Sequence, residues 1–316
     1  MNRASIFKTG IVLLITVALY IAVQVGAAFI IPRILTEGMG YYIFISVFEL
    51  LLFGAPALIF LLFQKPRVRV FGGPVSVEQI VLAVIIGVCA YYVSSFVQTL
   101  WQLLLRLTGY QPLVPELPLM EGAAGFAVMA VSVAVIPAFV EELMFRGLLF
   151  QSLRTEKKLT GAILISSALF MLMHGTVENL PYTFLAGALL AYLAYRSSSL
   201  WPGIVMHLTF NLTSVVLFYI TNTSGFFSQQ TLPDLSDTGV YAASLLVAIP
   251  FATIAAGLCF LMLFLFRKVS RPAVQVARQP DRAPWALKWL PILISVFLLV
   301  MFMFFMFFAT LISGML

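Results

Sequence analysis

The sequence predicts an all-α fold, a polytopic bundle of transmembrane helices. Of the 316 residues, 62% are hydrophobic and only 9% are charged, whereas a soluble domain carries about 25% charged residues. The apolar residues gather in stretches of about 20, the length that crosses a bilayer as a helix. This composition leaves too little polar surface for a water-soluble enzyme, a nucleic-acid-binding protein or a disordered scaffold.

Nine apolar stretches are predicted to form the helices. They cover residues 11–31, 41–64, 79–105, 124–152, 160–177, 181–196, 200–221, 239–266 and 290–313. The first is longer than the apolar region of a cleavable signal peptide, about 7–15 residues, and is therefore interpreted as a spanning helix. The fifth and sixth are short, and the fourth and seventh carry charged or polar residues that a lipid-facing helix would not contain.

The lysines and arginines predict the orientation of these helices. Placing the N-terminus in the cytosol puts fifteen of the eighteen on cytosolic segments. These fifteen are Arg3, Lys8, Lys65, Arg67, Arg69, Arg154, Lys157, Lys158, Arg196, Arg267, Lys268, Arg271, Arg278, Arg282 and Lys288. Such an excess agrees with the positive-inside rule, and it explains the net charge of +6 without a nucleic-acid partner. The chain is thus predicted to be an integral, multi-pass protein of the bacterial plasma membrane with a cytosolic N-terminus.

The C-terminal part is predicted to be separate from the rest of the bundle. Residues 267–289 are rich in Arg, Pro and Gln and are interpreted as a basic cytosolic linker. This interpretation divides the chain into a helical core at 1–266, the linker, and an additional transmembrane helix within 290–316. No internal repeat is visible in the sequence, which disfavours a secondary transporter built from repeated halves.

The fourth stretch carries three charged residues within six positions, namely Glu141, Glu142 and Arg146. A charge near the centre of a bilayer costs about 3 kcal/mol on insertion scales. Glu142 and Arg146 are four residues apart with the acid first, the favoured arrangement for a helical ion pair, and they are predicted to form a structural pair. Glu141 then has no partner on its own helix, which makes it a candidate functional residue.

The chain has two histidines, and both lie in apolar stretches. His174 ends the fifth stretch, while His207 and Asn211 share one face of the seventh at i, i+4. At a rise of about 1.5 Å per residue, these three residues and Glu141 lie in one layer of the bilayer, between its cytosolic side and its middle. A single shared site is therefore predicted. Glu49, an isolated acid in the second stretch, is a weaker candidate for the same site.

Three motifs, in order on the fourth, fifth and seventh apolar stretches and all within residues 136–212, carry a family resemblance. They are Glu141-Glu142-x-x-x-Arg146-Gly147, Phe170-x-x-x-His174 and His207-x-x-x-Asn211. Together they resemble the CAAX-protease and bacteriocin-processing family of intramembrane endopeptidases, also called the abortive-infection family. The resemblance covers roughly a quarter of the chain. It implies an eight-helix protease-like core, to which the ninth, C-terminal helix would be an addition.

The resemblance implies an enzyme that hydrolyses a peptide bond of a membrane-associated protein or peptide, near the cytosolic side of the lipid bilayer. It implies that Glu141 is the base that activates water, with His174 assisting. It also implies that His207 and Asn211 stabilise the oxyanion. Peptide hydrolysis requires the same parts, because it needs a base within hydrogen-bond reach of water and donors where negative charge develops.

The same residues leave a metal-dependent alternative open. Glu141, His174 and His207 could form a His₂Glu zinc set with water as the fourth ligand. Against this, the chain has no H-E-x-x-H motif, and Asn211 suits a hydrogen-bond donor better than a ligand. Metal-free glutamate catalysis without a cofactor is therefore favoured, and a zinc-dependent version of the same protease is the alternative.

Two other classes of protein would use part of this pattern. An ion-coupled transporter also needs Glu, His and Arg within the membrane, and a bacteriocin-immunity or scaffold protein could keep the fold without turnover. Peptide turnover separates a protease from a transporter, and loss of function in Glu141→Gln separates an enzyme from a scaffold. Nothing in the sequence shows a prenyl pocket, so the substrate is predicted only as a peptide or membrane protein.

Overall fold

The computed structural model describes residues 5–30, 37–64, 71–110, 117–156, 159–224, 238–272 and 284–313. In these ranges the regular structure is helical, apart from one isolated β-bridge between Gly72 and Ser199. The prediction of an all-α bundle is therefore confirmed. Residues 273–283 of the predicted linker lie outside the described residues, as do some of the basic residues used for the orientation, namely Arg3, Lys65, Arg67, Arg69, Lys157, Lys158, Arg278 and Arg282.

Nine long helical segments within these ranges follow the nine predicted stretches. They are α1 at Ile6–Ile30, α2 at 38–64, α3 at Val77–Leu107, α4 at 122–156, α5 at Leu159–Met173, α6 at Leu180–Ser197, α7 at Trp201–Thr223, α8 at Thr238–Val269 and α9 at Trp285–Ser313. All but α5 and α6 are long and apolar enough to cross a membrane, a total of 7 among the described residues. The prediction of an integral, multi-pass membrane protein is therefore confirmed.

The end of α5 is set by a glycine. Gly175 has a φ of +70°, a left-handed conformation that glycine adopts without strain and that commonly ends helices. It also lies against the Tyr20 hydroxyl of α1, where a β-carbon would not fit. The helix therefore stops at Met173, although the predicted stretch runs to residue 177. His174 is left in the turn that directly follows α5.

Pro137 widens α4 and frees a carbonyl group. Because proline has no N–H, the carbonyl four residues earlier, on Val133, loses its helical donor. The helix forms a wide π-helical turn there, at Val131–Val135. Asn211 of α7 supplies the missing donor, since its Nδ2 lies 3.1 Å from the Val133 oxygen. The proline thus creates the contact that joins α7 to α4.

Pro56 has the same effect on α2. It removes the donor for the carbonyl of Leu52, and α2 forms a π-helical turn at Leu50–Gly54. Thr16 of α1 donates to that carbonyl over 3.3 Å. Each proline therefore widens one helix and gives a neighbouring helix a backbone acceptor.

α4 is the central helix of the bundle. Every residue from Val140 to Phe150 is buried, and a third π-helical turn at Leu143–Phe150 begins directly after Glu142. The apolar core around it includes side chains of α1, α2, α5, α6, α7 and α9. Because protein rather than lipid surrounds this part of α4, its charged residues do not have to face hydrocarbon.

α9 packs against α1. Gly10 of α1 lies beside Pro291 and Ile292, and a β-carbon there would come within 3.1 Å of Ile292 Cγ1. Trp289 and Phe302 of α9 belong to the same apolar core as α4. The division of the chain into a core and an additional helix stays a prediction.

The start of α7 is held by the segment that precedes α3. The Phe71 carbonyl accepts hydrogen bonds from the Leu200 N–H at 3.1 Å and from Ser199 Oγ at 2.9 Å. Gly72, with a φ of +80°, packs against the backbone before Ser199 so closely that a β-carbon would not fit. These contacts fix where α7 begins, and therefore where His207 lies.

Candidate active site

The four predicted catalytic residues line one cavity of about 90 Å³, here called the α7 cavity. Glu141 comes from α4, His174 from the end of α5, and His207 and Asn211 from α7. Glu141 and His207 are each only 7% exposed. The structure thus brings together, at one depth of the bundle, side chains that are far apart along the chain.

His207 lies between the two adjacent glutamates. Its Nδ1 is 3.3 Å from Glu142 Oε1, and its Nε2 is 3.8 Å from Glu141 Oε2. An ionised carboxylate can only accept hydrogen bonds, so Nδ1 carries a hydrogen and donates it to Glu142. Glu142 therefore orients His207. The sequence pattern pairs Glu142 only with Arg146, because spacing along one helix carries no information on contacts with another helix.

Arg146 is fully buried and has three partners. Its Nη1 lies 2.8 Å from Glu142 Oε1, which is the i, i+4 pair that the spacing predicts. Its Nη2 donates to the Gly187 carbonyl at 3.0 Å, and its guanidinium lies 4.3 Å from the centre of the Phe170 ring. This cation compensates the charge of the Glu142 carboxylate, whose Oε1 also accepts the hydrogen bond from His207.

Two glycines bring the helices close enough for these contacts. At Gly203 of α7, a β-carbon would lie 3.1 Å from Glu142 Oε2, and at Gly187 of α6 it would lie 3.2 Å from Phe170 Cδ1. Side chains larger than hydrogen would push these groups apart. The sequence analysis gave no role to either glycine. The signal at Gly203 is its position one helical turn before His207.

Phe170 explains the second motif, in which a phenylalanine precedes a histidine by four residues. Its backbone carbonyl lies 2.9 Å from His174 Nδ1, and because a carbonyl only accepts, Nδ1 carries the hydrogen. In a neutral ring, Nε2 is then the acceptor. The Phe170 ring also packs against His174, at 4.7 Å between centroids, and against His207, at 6.1 Å. One residue thus orients His174 and packs against both histidines.

The Asn211 amide makes one helix–helix hydrogen bond and also lines the α7 cavity. One of its two N–H groups donates to the Val133 carbonyl. The amide oxygen and the second N–H remain for a ligand in the α7 cavity, which Asn211 lines. Its predicted contact with an oxyanion is compatible with this geometry and stays a prediction.

A second cavity of about 190 Å³, here called the α2 cavity, lies beside the first. It is lined by Tyr20 and Gln24 of α1, by Glu49 of α2, and again by Glu141 and His174. Glu49, the weaker candidate of the sequence analysis, therefore shares a cavity with Glu141. Glu141 and His174 are the residues that line both cavities.

The zinc alternative does not fit the arrangement of these side chains. Across the part of the chain that the structure describes, no three His, Cys, Asp or Glu side chains are grouped closely enough to hold a metal ion. Glu141, His174 and His207 therefore do not form a His₂Glu ligand set here.

Comparisons with known proteins match the central helices. Residues 123–213 match the family described as "Type II CAAX prenyl endopeptidase Rce1-like". The "Putative membrane peptidase YdiL" of Bacillus subtilis (strain 168) is 28% identical over 103 residues. That match covers 33% of this chain and 42% of the length of that protein. No solved structure matches the chain.

The matched region contains every residue of the three motifs, from Glu141 to Asn211. The relative is a membrane protein by name, and this chain has the spanning helices of one. Residues 123–213 thus match the Rce1-like family model, and the resemblance of this chain to the CAAX-protease and bacteriocin-processing family is confirmed for this region.

Proposed function

We propose that this membrane protein is an intramembrane endopeptidase that hydrolyses a peptide bond of a membrane-associated protein or peptide with water activated by Glu141. The observation that carries the proposal is the environment of the Glu141 carboxyl group. Its Oε2 is buried, accepts no hydrogen bond from any described residue, and belongs to a cavity that two histidines also line. A buried polar atom without a partner needs a water or a ligand.

Glu141 is the general base in this proposal. A water in the cavity donates to Oε2, and its proton passes to Glu141 as the water oxygen bonds to the carbonyl carbon of the scissile peptide. The same proton then goes to the nitrogen of the leaving amine as the C–N bond breaks. Glu141 ends the cycle as it began, and one water is consumed for each bond cleaved.

His174 assists by holding that water. Its Nδ1 is occupied by the Phe170 carbonyl, so its Nε2 can accept the second hydrogen of the water. The water is then oriented by two acceptors, Glu141 and His174, and its oxygen lone pair is free to attack. Such orientation lowers the entropic part of the barrier.

His207 and Asn211 stabilise the oxyanion in this proposal. To donate from Nε2, His207 must carry a proton on each ring nitrogen, because Nδ1 already donates to Glu142. The carboxylates of Glu142 and Glu141, one beside each nitrogen, compensate that cation. Asn211 supplies the second donor from its free N–H. Fixed donors of this kind are worth about 3–4 kcal/mol each in a water-excluded site.

We extend the proposal to orientation and location. Several basic residues in the described ranges lie at the ends of α4, α6 and α8, among them Arg154, Arg196 and Lys268. These ends are on one side of an alternating bundle, which supports a cytosolic face there and a cytosolic N-terminus. The bacterial source of the matched relative supports a bacterial plasma membrane.

Peptide turnover by the purified protein tests the function. We expect wild-type protein in detergent to cleave members of a peptide library, and Glu141→Gln to lose activity by about 10²–10⁴-fold while its melting temperature is kept. Glu121→Gln, at an exposed position at the start of α4, is the matched control and should cleave normally. Near-normal turnover by folded Glu141→Gln protein would remove Glu141 from its proposed role.

Two additions to this assay test the substrate and the metal. Because the matching family is described by CAAX prenyl substrates, the library includes each peptide with and without a prenylated C-terminus. A chelator should leave the rate unchanged if Glu141 activates water without a metal ion. Activity that is lost with chelator and restored by zinc would instead support the zinc-dependent version.

A further inference from the structure

We propose that Glu49 is a further catalytic residue of this site. Glu49 holds the attacking water for Glu141 in the α2 cavity, while the scissile peptide bond binds in the α7 cavity. The proposal rests on the proposed endopeptidase function. It assigns separate sides of Glu141 to the two reactants, water and peptide.

The linings of the two cavities support this division. The residues common to both are Glu141 and His174, the proposed base and its assistant. His207 and Asn211, the proposed oxyanion donors, line only the α7 cavity. The carbonyl group must lie beside its donors, so the peptide belongs in the α7 cavity. Water held in the α2 cavity would reach the carbonyl carbon by passing the base.

Glu49 has a buried carboxylate oxygen to which no described residue donates a hydrogen bond, and a water can supply that donor. Its Oε2 is buried and accepts no hydrogen bond from the described residues, and the same is true of Glu141 Oε2. An ionisable group inside a membrane protein that lacks a charge partner is costly and is functional by default. A structural role would require a hydrogen bond or an ion pair that holds Glu49 in place, and the described contacts give its Oε2 none.

The α2 cavity is large and polar enough to hold water. A single water needs a cavity of only about 10–15 Å³ and two to four polar partners, and the α2 cavity measures about 190 Å³. Glu49, Glu141, Tyr20 and Gln24 supply such partners around its wall. Gln24 already donates to the Tyr20 hydroxyl at 3.0 Å, which leaves that hydroxyl free to donate in turn. The α2 cavity therefore has room for several waters and polar groups to bind them.

The packing of α2 against α4 brings the two acids to this cavity. At Gly54, a β-carbon would lie 3.3 Å from Val140 Cγ1, directly before Glu141. The π-helical turn that contains Gly54 begins immediately after Glu49. Wide turns of this kind often occur at functional sites. The sequence therefore positions Glu49 through the same device that, in α4, positions the Asn211 contact.

Kinetics of Glu49→Gln test the proposal. We expect kcat to fall by about tenfold or more, while KM changes by less than about twofold because the α2 cavity does not hold the peptide. Glu49→Asp, which keeps a carboxyl group, should recover part of the lost kcat. Melting temperatures should match wild type in both variants. Glu121→Gln again serves as the control and should show wild-type kcat and KM.

Tyr20→Phe gives a second, independent measurement if Glu49→Gln does not fold. It removes one polar group from the α2 cavity and keeps the ring, and we expect it to lower kcat with KM unchanged. Wild-type kcat in folded Glu49→Gln, or in Tyr20→Phe where Glu49→Gln does not fold, would overturn the proposal. A rise in KM together with a fall in melting temperature in Glu49→Gln would also overturn it, because that pattern is expected for a structural residue.

The outcome for Glu49 is separable from the outcome for the endopeptidase function. If wild type cleaves peptide, Glu141→Gln does not, and Glu49→Gln does so at the wild-type rate, only the role of Glu49 is wrong. If wild type cleaves nothing, or if Glu141→Gln cleaves normally, the proposed function is wrong and the role of Glu49 falls with it.

Discussion

A single carboxylate oxygen, Glu142 Oε1, binds two partners, Arg146 Nη1 at 2.8 Å and His207 Nδ1 at 3.3 Å. The first contact compensates a buried charge, and the second holds a candidate catalytic ring. Stability and activity therefore depend on Glu142 for different reasons. A second substitution can therefore recover the stability lost with the Arg146 contact without recovering the activity that depends on the His207 contact.

A double-mutant cycle on this pair makes the difference measurable. We expect Glu142→Gln and Arg146→Met each to lower the free energy of unfolding by about 3–5 kcal/mol, because each leaves a buried charge without its partner. The double substitution should recover much of that stability but no activity, since His207 loses the carboxylate that orients it. Thermal melts in detergent and peptide turnover measure the two effects. If the double variant is as unstable as the two single variants added together, the pair is not coupled.

At the scale of helices, a proline acts as a connector. Pro137 lies inside α4, and a proline in a helix interior costs about 3 kcal/mol relative to alanine. In return, the Val133 carbonyl is free to accept from Asn211, so that α7 is tied to α4 next to the site. The stability of α4 is reduced where this tie is formed.

Pro137→Ala should therefore separate stability from function. The alanine N–H can bond to the Val133 carbonyl, which closes the wide turn and displaces Asn211. We expect an unchanged or higher melting temperature and a lower kcat. Pro250→Ala in α8 is the matched control, because Pro250 also lies inside a helix but lines neither cavity; it should keep kcat. Wild-type kcat in Pro137→Ala would show that the Asn211 contact has no bearing on turnover.

The positions of the helices could be predicted from the sequence, because a run of about 20 apolar residues has few other stable structures in a membrane. The Glu142–Arg146 pair could be predicted as well, since both residues are on one helix. The contact between Glu142 and His207 could not, because it depends on how α4 and α7 pack. The end of α5 at Met173 depends likewise on the left-handed Gly175. The α2 cavity depends on the approach of α2 to α4 at Gly54.

At the scale of the whole molecule, the asymmetry of the basic residues predicts a cytosolic N-terminus with nine spans and an external C-terminus. Reporter fusions after Lys158 and Lys288 should therefore give a cytosolic signal, and a fusion after Ser236 should give an external one. Lys158 and Ser236 lie outside the described residues. Because each span reverses the side, a cytosolic signal at Ser236 would contradict the number of spans before it.

The pairing of α1 with α9 has a consequence for how the protein is made. The Tyr20 ring, part of the α2 cavity wall, packs edge-to-face on Phe302 of α9, with 5.7 Å between the ring centres. The ribosome delivers α1 to the membrane first among these helices, yet α1 meets α9 only after every helix between them has been inserted. A contact this distant in sequence forms late. Tyr20 therefore gains its contact with Phe302 only at the last stage of assembly, and a nascent chain that lacks α9 has an unfinished cavity wall beside Glu141.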